Sequence, residues 1–223
     1  DESGPTTLTL ELIRAARGVA ANVEAFVLDD GSSMAESLGD HGVSKIHAMG
    51  GAEGKLVGAH AAALMADLVV SNLPDAVFFG QTPDGRDTAA RLSVRLDQPV
   101  ITNNVGVTVE DGVLVLEEPV FGGTQNIFTA FRNDGASLAL FRPKSFEAES
   151  IGGAIAEVSV LEGADPGNSG TAIVTGRVIE ERSGPQLDSA AVVVSGGRGL
   201  GQPEAYELVD ELAGLLNAAS GAS

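Results

Sequence analysis

Residues 23–49 read VEAFVLDDGSSMAESLGDHGVSKIHAM. Val23 to Leu28 is a short apolar run, bounded by Asp29-Asp30-Gly31, and reads as a buried strand. A helix near Ser33 to Leu38 follows, and Lys45-Ile46-His47-Ala48-Met49 reads as a second strand. Strand, helix and strand within one short span are the start of an alternating pattern.

The pattern extends outward in both directions. Upstream, Thr7 to Arg17 reads as a helix with Leu8, Leu12, Ala15 and Ala16 on one face. Downstream, Lys55 to Val70 is a long, mostly apolar helix, Ala76 to Gly80 another buried strand, and Asp87 to Leu96 a further helix. This alternation predicts an α/β fold: a parallel sheet flanked by helices on both faces.

The pattern then changes. Gly106–Val109 and Val113–Leu116 alternate around Asp111-Gly112, a strong hairpin signal. Ile127–Phe131 and Ser137–Phe141 read as a second antiparallel pair around Asn133-Asp134-Gly135. Residues 147–170 are rich in Gly, Ala, Ser and acid, and read as a late strand (Val158–Leu161) plus a linker. A new βα unit begins at Ala190. We therefore expect a first α/β domain over residues 1–178, with added antiparallel strands, and the beginning of a second over 179–223. A doubly wound sheet normally opens on a strand, whereas this sequence opens on a turn and a helix. Together with the non-Met first residue and the lone final βα unit, this gives the expectation of a piece of a longer chain.

Composition narrows the function classes. The chain has 31 acidic against 13 basic side chains, a formal net charge of −18. That disfavours nucleic acids and anionic membranes, which need a basic surface, and suits solubility or docking to a basic protein patch. No uncharged apolar stretch reaches membrane-spanning length, so no direct membrane insertion is expected. No basic start followed by an apolar run is visible. Cysteine is absent, which removes disulfides, thiolate metal sites and cysteine nucleophiles. The few aromatics lack a basic stacking arrangement, again against nucleic acid.

Candidate chemistry concentrates at Ser195-Gly196-Gly197-Arg198-Gly199-Leu200, between a strand-like run and a helix. Pro203 fits a first helical position, Glu204 suits the helix dipole, and Ala205, Leu208, Val209, Leu212, Leu215 and Leu216 form one apolar stripe. The glycines permit either a plain tight turn or close approach of backbone to a ligand. A structural turn has no need of a long cation, whereas an anionic or electron-rich ligand would use Arg198. The dinucleotide pattern G-x-G-x-x-G fails at Gln202. The P-loop pattern fails at Met49 and Leu56. Ser195 lacks the G-x-S-x-G elbow because Val193 occupies the first glycine position. A second candidate is Gly80 to Thr88, following a strand and opening a helix. It reads either as a nucleotide pocket of a stand-alone nucleotide-binding or signalling domain, or as a helix start capped by Asp84 or Asp87 with Arg86 paired to an acid. His41, His47 and His60 have no metal spacing and read as surface or structural residues.

Several segments resemble the electron transfer flavoprotein α subunit family. VVVSGGRGL (192–200), the helix after it and Gly221-Ala222-Ser223 are similar to the start of that family's second domain. DGRDTAARLSVRL (84–96), PVFGGTQNI (119–127, with Phe121 in place of the usual Tyr) and LFRPKSFEA (140–148) resemble segments of its first domain, in the same order. The glycine–arginine segment is the most specific of these.

The resemblance implies a nucleotide-hydrolase-like α/β first domain without its own nucleotide. It implies a second domain that holds FAD beside a β subunit in a heterodimer, with AMP or a second FAD on that partner. It implies an electron carrier rather than a substrate-converting enzyme. Electrons would come from flavin dehydrogenases, such as the acyl-CoA dehydrogenases of fatty acid β-oxidation. They would pass to a quinone oxidoreductase and the respiratory chain, in the bacterial cytoplasm or, in a eukaryote, the mitochondrial matrix. By carry-over, Arg198 and Ser223 would contact FAD, and Gly196, Gly197 and Gly199 would let the backbone approach it. A cation near a flavin favours its anionic reduced form and raises its potential. The likeness ends at Ser223, so the first strand and most of the FAD-binding domain are expected to lie outside this sequence.

Overall fold

A computed structural model describes residues 4–51, 54–132, 134–176, 178, 184–187 and 190–222. The chain divides into two units, Asp1–Thr175 and Gly176–Ser223.

The first unit opens on α1 (Thr7–Arg17). The Thr6 hydroxyl caps it by accepting from the Thr9 N–H (3.2 Å), and Arg14 and Arg17 lie in its last turn, where the dipole favours cations. Then come β1 (Glu24–Val27), α2 (Ala35–Asp40), β2 (Lys45–Met49), α3 (Val57–Asn72), β3 (Ala76–Gly80) and α4 (Pro83–Leu96). β4 (Val100–Asn104), β5 (Gly106–Glu110), β6 (Val113–Val120), β7 (Gln125–Ala130), β8 (Ser137–Phe141) and β9 (Glu157–Leu161) complete the unit.

Two three-stranded sheets are wholly parallel, with orders β1-β2-β9 and β3-β8-β4. Side chains alternate across them. Leu138 and Leu140 of β8 pack under α3 and α4 with Ala62, Met65, Ala89 and Leu92. Ala139 and Phe141 point the other way, toward Leu12 of α1, Leu116 of β6 and Phe146. Phe26 of β1 packs against the cluster under α3 and α4, while Ile13, Val27, Leu38 and Ile46 form a separate cluster on the first sheet. Helices on both faces follow from strands that are apolar on both sides.

The antiparallel part differs from the sequence expectation. β5 and β6 form the expected hairpin, with Asp111 at φ 49° and Gly112 at φ 81°, as a tight turn of primed type requires. The predicted pairing of Ile127–Phe131 with Ser137–Phe141 is not made. β7 pairs antiparallel with β6 instead, and β8 enters the parallel sheet between β3 and β4. The reason is burial: Leu138, Ala139 and Phe141 are fully buried, and an unbroken apolar run belongs inside a covered parallel sheet. Asn133 of the proposed turn lies outside the described residues. β4 is an unpredicted strand.

The second unit holds β10 (Val193–Gly196), α5 (Glu207–Leu215) and β11 (Ala219–Ala222), with β10 and β11 parallel. Pro203 opens a 3-10 turn (Pro203–Tyr206), and the α-helix proper starts four residues later. The expected apolar stripe is not one buried face. Val209 and Ala213 are buried, while Leu208 and Leu215 are 68% and 79% exposed.

Candidate functional site

The glycine–arginine segment sits at the carboxyl end of β10, beside the carboxyl end of β11. The parallel ladder pairs Ser195 with Gly221 and Gly196 with Ala222. Such strand ends are where open α/β sheets hold ligands. Ser223 lies outside the described residues.

The turn is built by three different backbone demands. Gly196 is a packing glycine: a Cβ there would overlap Leu200 Cδ1 and come within 3.0 Å of Val209 Cγ2 and 3.2 Å of Tyr206 Cε2. Its bare backbone lets the following turn and α5 close over the strand end. Gly197 is extended, and a 3-10 turn over Arg198–Leu200 follows. The Leu200 N–H donates to Gly197 O (3.0 Å) and the Gly201 N–H to Arg198 O (3.1 Å). Gly201 then reverses the chain at φ 78°, a conformation that favours glycine. Gly199 is in open space, with nothing within 4 Å of its Cβ position.

Arg198 is exposed, and its guanidinium has no carboxylate or hydrogen-bond partner among the described residues. Acids outnumber bases 31 to 13 in this chain. An arginine left unpaired at the tip of a glycine turn is available to an anionic or electron-rich group. Arg198, Gly197 and Gly199 thus share one turn with Gly196 at its root. They offer a ligand open backbone, a fork of N–H donors without a partner among the described residues, and a strand-end position.

Two features escaped the sequence reading. β11 was not recognised as a strand, because Ala219-Ser220-Gly221-Ala222 has little strand propensity. A Cβ at Gly221 would lie 3.0 Å from both Leu187 Cδ2 and Ser195 Oγ, a tight fit that those two side chains would have to ease. The run of small residues was the available signal.

The second candidate, at 80–88, is a helix start in the structure. α4 begins at Pro83 rather than Asp87, and Thr82 caps it in place of Asp84 or Asp87, accepting from the Gly85 N–H (3.0 Å). Its acid partner also differs: Asp87 receives Arg91 Nε (2.9 Å). Leu8 of α1 fills the space against Gly80. His47 is 5% exposed, with Nε2 2.6 Å from Glu24 Oε2, and His41 Nδ1 lies 2.8 Å from Ser37 O.

Comparison with known proteins locates these elements. Residues 2–166 match the family profile described as the electron transfer flavoprotein domain. Residues 186–223 match the one described as the electron transfer flavoprotein FAD-binding domain. The electron transfer flavoprotein subunit alpha of Mycobacterium leprae is 32% identical over 219 residues, covering 97% of this chain and 67% of that protein. The subunit alpha of Mycobacterium tuberculosis is 35% identical over 222 residues, with the same coverage. That of Bacillus subtilis is 27% identical over 221 residues, again covering 97% and 67%.

Proposed function

The chain belongs to the electron transfer flavoprotein family as a homologue of its α subunit, and from that premise we propose that it forms one half of an FAD-dependent electron carrier. The observation that carries the reading is Arg198: an exposed cation with no partner among the described residues, on a glycine turn at two strand ends, inside the region matched to an FAD-binding domain.

Arg198 supplies positive charge and directional N–H donors toward the flavin. Gly197 and Gly199 keep side chains out of the approach. Gly196 lets α5 seat the turn. By the family resemblance, Ser223 adds a hydroxyl toward the flavin. Bound FAD supplies the redox centre that accepts and returns electrons. A guanidinium beside it stabilises negative charge and so raises the potential. No step of this kind requires a catalytic acid, base or nucleophile from the chain.

The domain assignment is residues 1–178 for the first α/β domain and 179–223 for the opening of the FAD-binding domain. The two units and the two matched ranges support it. The partner is the β subunit, in a heterodimer, carrying AMP or a second FAD. Flavin dehydrogenases, including those of fatty acid β-oxidation, are the electron donors, and a quinone oxidoreductase is the acceptor. The bacterial relatives favour the bacterial cytoplasm. Among the described residues no helix is long and apolar enough to cross a membrane.

The test is co-expression of the full-length gene product with a β subunit, followed by the visible spectrum of the purified complex. Stoichiometric flavin absorbance is expected. A colourless complex, or the absence of any complex, overturns the proposal.

A further inference from the structure

A cavity of about 280 Å³ opens in the first unit at the carboxyl ends of β2 and β9. It belongs to the first unit, whereas the glycine–arginine turn belongs to the second, and it plays no part in the function proposed above. Its apolar wall is Met49, Leu64 and Leu161, and its polar wall is Lys55, His60 and Glu162. Carboxyl ends of parallel strands are where α/β sheets hold small ligands.

The two nitrogen-bearing side chains are the informative part. Lys55 and His60 are half-buried, and neither side chain has an ion pair or hydrogen bond among the described residues. Glu162 lines the same wall, yet Lys55 makes no ion pair with it among the described residues, and in a chain with 31 acids and 13 bases that leaves the lysine's charge open to a ligand. Its backbone is held in place: Lys55 bridges Ile173, and the Val174 N–H donates to Gly54 O (2.9 Å). His60 and Leu64 are four residues apart on α3, so they face the cavity together.

We propose that this cavity binds a small, hydroxylated phosphomonoester. Lys55 and His60 take the phosphate. Glu162, a pure acceptor when ionised, repels a bare anion but accepts a hydrogen bond from a ligand hydroxyl. Met49, Leu64 and Leu161 cover the carbon skeleton. The cavity lies just below the usual range of about 300–1,000 Å³ for drug-sized ligands, which selects a compact molecule of sugar-phosphate size.

The test is amide NMR titration of the full chain with three probes: ribose 5-phosphate, inorganic phosphate and ribose. Ribose 5-phosphate is expected to saturate shifts at Gly50, Lys55, His60 and Glu162, binding about tenfold tighter than phosphate, with ribose inert. Lys55→Ala should weaken it at least tenfold, and Arg132→Ala, a charge-matched control outside the cavity, should leave it unchanged. Glu162→Gln, at an exposed position, should narrow the gap between ester and phosphate severalfold, and it keeps the test open if Lys55→Ala fails to fold. The proposal is overturned by an absence of saturable shifts at the cavity, by phosphate binding as tightly as the ester, by ribose binding as tightly as its phosphate, or by indifference to both cavity variants.

Discussion

Gly196 faces Ala222 across the last pair of the β10–β11 ladder, so the glycine–arginine turn leaves the sheet at the edge where both strands end. Leu200, Tyr206 and Val209 crowd the position a Cβ would occupy at Gly196. Gly196→Ala should therefore cost about 1 kcal/mol, the low end for overpacking, because the end of Leu200 can turn aside. The measurement is a urea melt, paired with amide shifts. The shifts should be largest from Gly197 to Leu200, where the displaced side chain belongs. Shifts confined to residue 196 would contradict this account of the turn.

Gly39 poses a harder constraint. A Cβ there would overlap the carbonyl oxygen of Ala154 and come within 2.7 Å of the Ala156 nitrogen, whose N–H donates to Ala35 O (3.1 Å). These are backbone atoms and have no rotamer to change. Gly39→Ala should destabilise the first unit by at least about 2 kcal/mol, a Tm drop of roughly 4–8 °C. Calorimetry on the purified chain checks it, and an unchanged Tm would show that α2 sits farther from the segment leading to β9.

Glu11 is buried at 4% exposure, and its Oε2 accepts from the Lys144 N–H at 2.8 Å. Lys144 is at φ 63°, a left-handed position in the turn before Phe146. Glu11→Ala leaves that N–H without its acceptor and should cost about 1–3 kcal/mol. Glu11→Gln keeps an acceptor and should recover more than half of the loss. Equal losses in the two variants would place the effect in charge rather than in the hydrogen bond.

Asp30 is held below the ordinary carboxylate range by the Ser32 hydroxyl (2.6 Å) and then by the Ser32 N–H (2.9 Å). A carboxylate lowered on folding stabilises the folded state above its unfolded pKa. That contribution is lost as pH falls through the folded value. Ser32→Ala should move the Asp30 titration upward, toward the ordinary value, in a carbon-detected NMR titration. An unmoved midpoint would show that the hydroxyl is not the main cause.

The alternating βα pattern was legible because buried parallel strands read as short apolar runs between turn signals, as at residues 23–28, while the helices between them carry a helical period. Where the reading failed, tertiary context overrode local pattern. β8 looked like the return strand of a hairpin because it follows Asp134-Gly135, yet its burial on both faces sends it between β3 and β4. β4 ends in Thr102-Asn103-Asn104, which reads as loop. Asn104 is nonetheless fully buried, its Nδ2 donating to Leu140 O (2.8 Å) and Ile101 O (2.9 Å). The cap of α4 passed to Thr82 because Pro83 starts the helix earlier than the acids suggested. At the candidate site, the arginine was legible as chemistry. The distinct duties of Gly196, Gly199 and Gly201 were not, because they depend on what packs against each one.

The most direct measurement is flavin content and midpoint potential of the full-length α–β complex carrying Arg198→Ala, beside wild type and Arg198→Lys. Loss of a charge-assisted contact of about 1.5–3 kcal/mol predicts flavin retention weakened roughly tenfold or more, or a potential shifted downward, with Arg198→Lys between the two. Flavin content and potential equal to wild type in Arg198→Ala would contradict the role of Arg198 and, with it, the reading of the glycine turn as one side of the flavin site.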